Sequence, residues 1–180
     1  MPWGRGMLLV LLVLLAASAL SGGPRQASAA EEKFKEIFGW VEEGILMPYD
    51  RKMKVKLDTG ALTSSLDARD IERFERDGED WVAFTVPDRD DEDARDLRLE
   101  RELFRDVTIE GHEEDSERPV VLIDLCLGQF VHRIQVSLAD RSEFNYPLLI
   151  GRRLLEEIAL VDASATFLRD PSCGAADDEG

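Results

Sequence analysis

Apolar and polar residues alternate along several short runs of this chain, as they do in half-buried β-strands. The run DWVAFTVP alternates from Trp81 to Val86, and Pro87 ends it. Residues 53–58 alternate in the same way, and so do residues 130–138 in QFVHRIQVSLADR. Each of these runs predicts one strand, and LRLERELFRDVTIEG, from residue 97 to residue 111, predicts further strand structure.

More continuous apolar runs predict strands that are buried on both faces. These runs are RPVVLIDLCLG, which ends at Gly128, and YPLLIG, which ends at Gly151. Near the start of the chain, FGWVEEGILM predicts a strand that is broken at Gly44, and residues 63–67 predict another.

Helical spacing is confined to two short segments. Ile71 and Phe74 are three residues apart, which predicts a short helix that Gly78 ends. A second short helix is predicted from Arg152, followed by a closing strand. Many short strands with one or two short helices indicate a mainly β fold, which we expect to be a closed barrel.

The first thirty residues have the layout of a secretory leader. Arg5 is followed by the apolar run Met7–Leu20 and by small residues up to Ala27-Ser28-Ala29, which is an A-x-A cleavage pattern. The run is about 14 residues long, shorter than a bilayer span needs. We predict an exported protein, periplasmic or secreted, with residues 1–30 as a signal peptide or an uncleaved membrane anchor. Residues 31–170 would then form one domain.

Charge limits the class of partner. The formal net charge is −16, and it would become −18 if Arg5 and Arg25 were removed with the leader. Such an acidic surface argues against nucleic acid and anionic membranes as partners. The acidic run 88–96 is typical of a solvated loop, and 171–180 is typical of an acidic flexible tail.

Two cysteines are compatible with export but do not establish it. Cys126 lies in an apolar run and Cys173 in the tail. Because free cysteine is commonly buried, a buried thiol and a tail thiol are favoured over a disulfide.

The usual cofactor and nucleophile patterns are missing from the sequence. It contains no glycine-rich phosphate-binding motif and no G-x-S-x-G, and HEEDS has Ser116 where a zinc-protease helix needs its second histidine. The two histidines, His112 and His132, have no spacing that indicates a metal site. We therefore predict no metal and no cofactor.

Asp58 is the most informative candidate for chemistry. It directly follows an alternating strand, and Thr59-Gly60 follow it, so it either opens a turn or is held there as a reactive carboxylate. A second element, YPLLIGRRLLEEI, comes about 90 residues later.

The resemblance to a known family rests on four segments taken in order: KVKLDTGALTSSLDA, RPVVLIDLCLG, LADRSEFNYPLLIGRRLL and LVDAS. With them the chain resembles the bacterial retropepsin-like family, whose members are often labelled putative ATP-dependent zinc proteases. The resemblance covers about residues 37–168. It implies a retropepsin-like β-barrel and an aspartic endopeptidase without metal or ATP. Its catalytic triplet would be Asp58, Thr59 and Gly60, with Ala61 and Arg152 contacting substrate.

A barrel with one such triplet supplies half of an aspartic site, so the resemblance implies a homodimer in which two Asp58 carboxylates meet and share one proton. Thr59 would hold the loop across the dimer, and Gly60 and Gly151 would allow close backbone approach. Family members are frequently encoded near glutamate-ligating enzymes, so the implied substrate is a peptide or protein, with glutamyl peptides as a specific hypothesis. Basic residues Lys54, Lys56, Arg152 and Arg153 favour such a substrate.

The chain departs from its relatives at several positions. Leu62 and Thr63 stand where retroviral enzymes have an acidic partner for the Arg152 position, which would leave Arg152 free to meet substrate. Asp67 stands where the family commonly has histidine, and no glycine lies between Gly78 and Gly111 to form a glycine-rich flap. Two other functions stay open: a non-catalytic peptide-binding module on the same barrel, and a metallopeptidase.

Overall fold

A computed structural model describes residues 34–89, 95–109 and 116–174. These residues form twelve strands and one short helix. The strands are β1 (Glu36–Gly39), β2 (Val41–Met47), β3 (Arg51–Leu57), β4 (Ser64–Asp67), β5 (Arg69–Arg76), β6 (Glu79–Val86), β7 (Leu97–Glu102), β8 (Arg105–Ile109), β9 (Ser116–Leu127), β10 (Phe130–Ala139), β11 (Leu148–Ile150) and β12 (Ala159–Asp162), with α1 (Arg152–Ile158) before β12. The predicted leader 1–30 and the tail beyond residue 174 lie outside the described residues.

Six of the strands close into a mixed barrel. Its order is β10-β4-β11-β3-β2-β9, and β9 pairs again with β10, while β8 extends the sheet beyond β9. Most pairs are antiparallel, but β11 runs parallel to β3, and β10 runs parallel to β4. The prediction of a mainly β, closed, retropepsin-like barrel is confirmed.

The barrel interior is filled by the apolar residues that alternate along these strands. Fully buried side chains include Val55, Leu66, Leu125, Leu138 and Leu148. Closing the sheet on itself leaves no free edge between the six strands, and it places the inward-facing side chains in one common core. The strands 53–57, 130–139 and 148–150 lie where the sequence pattern predicts them.

Residues 69–76 form a strand, so the prediction of a helix there was wrong. β5 pairs antiparallel with β6, and both Asp77 and Gly78 have positive φ, 55° and 84°, in the turn between them. Two consecutive residues with positive φ are typical of a type I′ hairpin turn, for which Asp-Gly is a strong sequence signal. Gly78 therefore reverses the chain instead of ending a helix. With β7, this hairpin makes a separate three-stranded sheet.

Gly44 does not break its strand either, because β2 continues through it to Met47. A Cβ at this position would lie 2.9 Å from Val55 Cγ2 and 3.0 Å from Leu125 Cδ1. The glycine thus gives two core side chains the space that they need, which is a packing role.

The two cysteines form a disulfide, which overturns the prediction of two thiols. Cys126 at the end of β9 is joined to Cys173, and their Cα atoms are 5.8 Å apart. Ser172 also donates its N–H to the Gly128 carbonyl at 2.8 Å. The start of the segment predicted as a flexible tail is therefore covalently attached to the barrel.

The β1–β12 pair brings the two ends of the domain together. β1 runs parallel to β12, with Ile37 opposite Leu160. Within the described ranges, no helix is both long and apolar enough to cross a bilayer.

Candidate functional site

Asp58 lies directly after β3, in a loop that fixes its carboxylate. Oδ1 accepts hydrogen bonds from the backbone N–H groups of Gly60 at 2.9 Å and Ala61 at 3.3 Å. A Cβ on Gly60 would lie 3.1 Å from the same oxygen, so glycine gives the carboxylate room. The Asp58 side chain is 24% exposed. The carboxylate is therefore held in place by the backbone and still reachable from solvent.

The loop is locked by the segment that follows β11. Asp58 donates its N–H to the Ile150 carbonyl at 2.8 Å, and Arg152 donates its N–H to the Ala61 carbonyl at 2.8 Å. Between these contacts, Gly151 passes so close that a Cβ on it would lie 2.8 Å from backbone atoms of Leu62 and Thr63. The expected close approach at Gly151 is present, and it makes the position of Asp58 depend on residues more than 90 positions later.

Arg152 contacts this loop, so its guanidinium is not free in the way that the missing acidic partner suggested. Its Nη1 donates to the carbonyl oxygens of Thr59 at 3.0 Å and Gly60 at 2.9 Å. Leu62 and Thr63 supply no carboxylate, and backbone carbonyls take that place. Ala61 lies beside these contacts and is partly exposed.

A cation also contacts Asp58. Lys56 Nζ lies 2.9 Å from Asp58 Oδ2, the oxygen that the backbone amides leave available. The two side chains point to the same side because residues two apart in an extended strand share a face. The hydrogen bond from Lys56 is the main cause that lowers the pKa of Asp58 below its ordinary value; burial opposes it, and the Gly60 amide adds to it.

The part of the chain that forms this site also matches a known family. Residues 37–172 match the family described as retropepsin-like aspartic endopeptidase RimB. The chain belongs to this RimB-like family. The match includes every strand of the barrel and the whole Asp58 loop.

A solved structure and longer curated relatives are also similar. The crystal structure of a Legionella pneumophila protein of unknown function is 36% identical, with a TM-score of 0.66, and the match covers 75% of this chain and 98% of that one. A probable alpha-L-glutamate ligase of Shewanella pealeana is 31% identical over 116 residues, and one of Desulfotalea psychrophila is 32% identical over 111 residues. The matches cover 64% and 61% of this chain but span only 25% and 24% of those relatives.

Asp67 is a buried carboxylate at the end of β4. Its side chain is 0% exposed. Oδ1 accepts from the backbone N–H of Arg141 at 2.8 Å, and both oxygens accept from the Arg69 guanidinium at 3.2 and 3.3 Å. Arg89 Nη1 approaches Oδ2 at 3.4 Å. Sequence reasoning left the role of Asp67 undecided, although a carboxylate inside a buried strand requires such partners.

Arg89 shows that the run 88–96 is only partly the solvated loop that was predicted. It also donates to the backbone carbonyls of Arg141 and Phe144, and its neighbour Asp88 pairs with Arg51 at 2.6 Å. Residues 90–94 lie outside the described residues. The described start of the run therefore attaches the segment after β6 to β3 and to the loop before β11.

Arg141 brings a further positive charge towards the site. It is 7% exposed, its Nε donates to the Tyr146 carbonyl at 3.3 Å, and its guanidinium lies 4.6 Å from the centre of the Phe144 ring. Burial lowers the pKa of this guanidinium, while the charges of Asp67 and Asp58 act in the opposite direction. Asp67 is the carboxylate that Arg141 contacts, through its backbone N–H.

His132, one of the two histidines weighed as a zinc ligand, lies on β10 with its ring 6.4 Å from that of Phe130. Burial is the main cause that lowers its pKa. Over the described ranges 34–89, 95–109 and 116–174, no group of three potential ligands is arranged to hold a metal ion. His112, the other candidate, falls in 110–115 and lies outside those ranges.

Proposed function

We propose that the protein is an exported, homodimeric aspartic endopeptidase that hydrolyses peptide bonds with a water activated by two Asp58 carboxylates. The observation that carries the proposal is the fixed carboxylate at the end of β3, with Oδ1 held by two backbone amides and the side chain partly exposed. A general base must be held within hydrogen-bond reach of its water, and this loop provides that fixation.

The homodimer follows from the number of carboxylates. Each chain contributes one Asp58 loop, and two such loops related by a two-fold axis would complete a site for one water and one peptide. Thr59, which is exposed beside Asp58, would lie at that junction. Ala61 is partly exposed and Arg152 donates to two loop carbonyls, so both would adjoin a peptide bound at this loop.

Export is supported by two independent features. The leader pattern of residues 1–30 precedes the barrel, and the barrel contains the Cys126–Cys173 disulfide. Disulfides persist in oxidising compartments and are rare in reducing ones.

Glutamyl peptides are the substrate class that we favour. Relatives named as probable alpha-L-glutamate ligases contain a segment similar to this chain, which supports a substrate that contains glutamate. The charge at the loop fits an acidic peptide, because Lys56 and Arg152 both contact it. The negative net charge of the whole chain would weaken this attraction, but most of those charges are further from the loop and are screened by salt.

A non-catalytic peptide-binding module is the second candidate, and the Lys56–Asp58 ion pair favours it. An ion pair keeps Asp58 charged, whereas a conventional pair of catalytic aspartates holds one proton between them. In a binding module, Lys56 and Asp58 would only position a peptide.

Cleavage of peptides by residues 31–180 distinguishes the two functions. We expect the wild type to cut a fluorogenic peptide that contains consecutive glutamates, and Asp58→Asn to lose that activity while keeping its melting temperature. A chelator should leave the rate unchanged, and sedimentation should show a dimer. A folded wild type that binds the peptide without cutting it would instead identify a binding module, and a peptide of the same length with alanines controls for sequence preference.

A further inference from the structure

Asp58 and Lys56 form a fixed unit on one face of the chain. Oδ1 of Asp58 is held by the amides of Gly60 and Ala61, and Oδ2 by the Lys56 ammonium at 2.9 Å. The Lys56 side chain is 37% exposed, so its remaining N–H groups can reach a ligand. Each oxygen of the carboxylate therefore has a defined donor before any substrate arrives.

No other described side chain places a charge directly on this carboxylate. On the neighbouring strand β2, the buried Glu42 accepts from the backbone amides of Gly39, Leu168 and Arg169. After β11, Arg152 donates to backbone carbonyls of the loop, and Arg141 acts on Asp58 only through its longer-range charge. In the described part of the chain, Lys56 is thus the cation that contacts Asp58.

The Lys56–Asp58 pair changes the charge that two loops would bring together in a dimer. Two bare carboxylates at close range cannot both stay ionised, so one must hold a proton. Here each carboxylate brings an ammonium, and the four groups together carry no net charge. Both carboxylates can then stay ionised, which leaves no shared proton to donate to the scissile carbonyl.

We propose that Lys56 is a catalytic residue whose ammonium hydrogen-bonds the carbonyl oxygen of the scissile peptide bond, in place of the shared proton. This inference rests on the proposed endopeptidase function and specifies how its site works. A preorganised donor at an oxygen that becomes negative is among the strongest means of lowering a reaction barrier.

The hydrolysis balances without any further reactant. One Asp58 carboxylate takes a proton from water as the water oxygen bonds to the carbonyl carbon, and the carbonyl oxygen becomes an oxyanion that the Lys56 ammonium holds. When the tetrahedral intermediate collapses, the C–N bond breaks and the protonated Asp58 gives its proton to the leaving nitrogen. Lys56 stays an ammonium throughout, and the products are a carboxyl group and an amine.

The pH profile separates this mechanism from a shared-proton pair. Neither carboxylate has to be protonated, so the wild type should cleave at neutral pH and lose activity only as acid protonates Asp58. Without the ammonium, the pair must share a proton again, and the variant should cleave only in acid. The lowered pKa of Asp58 agrees with this direction.

The experiment compares kcat/KM across pH for the dimeric protein on the glutamate-containing fluorogenic peptide. The variants are Lys56→Met, Lys56→Gln and Lys56→Arg. The control is Lys52→Met, which removes the same charge from the same strand at a residue that pairs with Glu43. We expect Lys56→Met and Lys56→Gln to lose roughly a hundred- to a thousand-fold in kcat/KM at neutral pH, the usual cost of one such donor. Their optimum should move to acid, whereas Lys56→Arg keeps the neutral optimum and Lys52→Met matches the wild type.

A second readout does not depend on activity. The carboxyl carbon of Asp58, followed by NMR as the pH is lowered, should titrate at higher pH in Lys56→Met than in the wild type. An unchanged titration, or a wild-type pH profile in both neutral variants while Asp58→Asn is inactive, would overturn the role of Lys56 and leave the endopeptidase intact. A folded wild-type dimer that cuts nothing, or activity that survives in Asp58→Asn, would overturn both.

Discussion

The disulfide between Cys126 and Cys173 gives a stability prediction that can be worked from the chain itself. Cys126 is 1% exposed, whereas Cys173 is at the surface end of the bond, so Cys173→Ala opens the crosslink and leaves the barrel core in place. The two cysteines are 47 residues apart. A crosslink stabilises a protein chiefly by restricting the unfolded chain, and for a loop of this length the expected loss is about 4 kcal/mol.

The assay is thermal unfolding of the oxidised wild type and Cys173→Ala. For a domain of about 150 residues, each kcal/mol lowers the melting temperature by roughly 2–4 °C, so we expect a decrease of about 8–16 °C. The wild type in reductant should melt like the variant, and reductant should not change the variant. Equal melting temperatures for the oxidised wild type and Cys173→Ala would refute the reasoning that this crosslink stabilises the protein by restricting the unfolded chain.

Two further substitutions test the supports of the Asp58 loop. Gly151→Ala should lower the free energy of unfolding by about 1–3 kcal/mol through overpacking, because its Cβ would meet the backbone of Leu62 and Thr63 at 2.8 Å. The same displacement should abolish peptide cleavage. Unfolding and cleavage assays on one sample check both effects. Asp67→Asn should cost roughly 1.5–3 kcal/mol in urea unfolding, since the fully buried Asp67 loses its charged hydrogen bonds to the partly exposed Arg69 and Arg89. Asp140→Asn, which removes an exposed carboxylate from the same Arg69, should leave the free energy of unfolding nearly unchanged, because an exposed ion pair is screened by solvent. A cleaving Gly151→Ala, or equal costs at the two aspartates, would contradict this account.

The barrel itself could be predicted because its strands have a local signal. Alternation at residues 53–57 reflects one buried and one exposed face, whereas residues 136–139 are buried on both faces although polar and apolar residues alternate there. The apolar run before Gly128 reflects a strand that is paired on both sides. The Asp58 loop was also visible, since D-T-G and the later L-I-G-R segment are local motifs.

What escaped prediction depends on contacts between distant residues. Ile71 and Phe74 have helical spacing, but hydrogen bonds from β6 decide that they lie in a strand, and Asp77-Gly78 was the missed turn signal. The disulfide joins positions whose separation in sequence says nothing about their distance. The arginines around Asp67 come from three separate segments, so no local sequence pattern predicts their contacts with this carboxylate.

Lys56 is an intermediate case. Its spacing of two from Asp58 was in the sequence, and an extended strand places such residues on the same face. The lysine was noted only as a charge that favours acidic peptides, whereas the structure brings its nitrogen to the carboxylate itself.

Residues 150–152, which bond to the Asp58 loop, have a consequence for the order of events during synthesis. The amide of Asp58 bonds to Ile150, and the carbonyl of Ala61 to Arg152, so the loop has no fixed geometry until the chain has been made past Gly151. Closing so long a loop comes late in folding, because its entropic cost is met only once both ends can pair. A nascent or partly translocated chain would therefore carry Asp58 without a formed loop, and an endopeptidase built in this way would be inert towards its surroundings until folding is nearly complete.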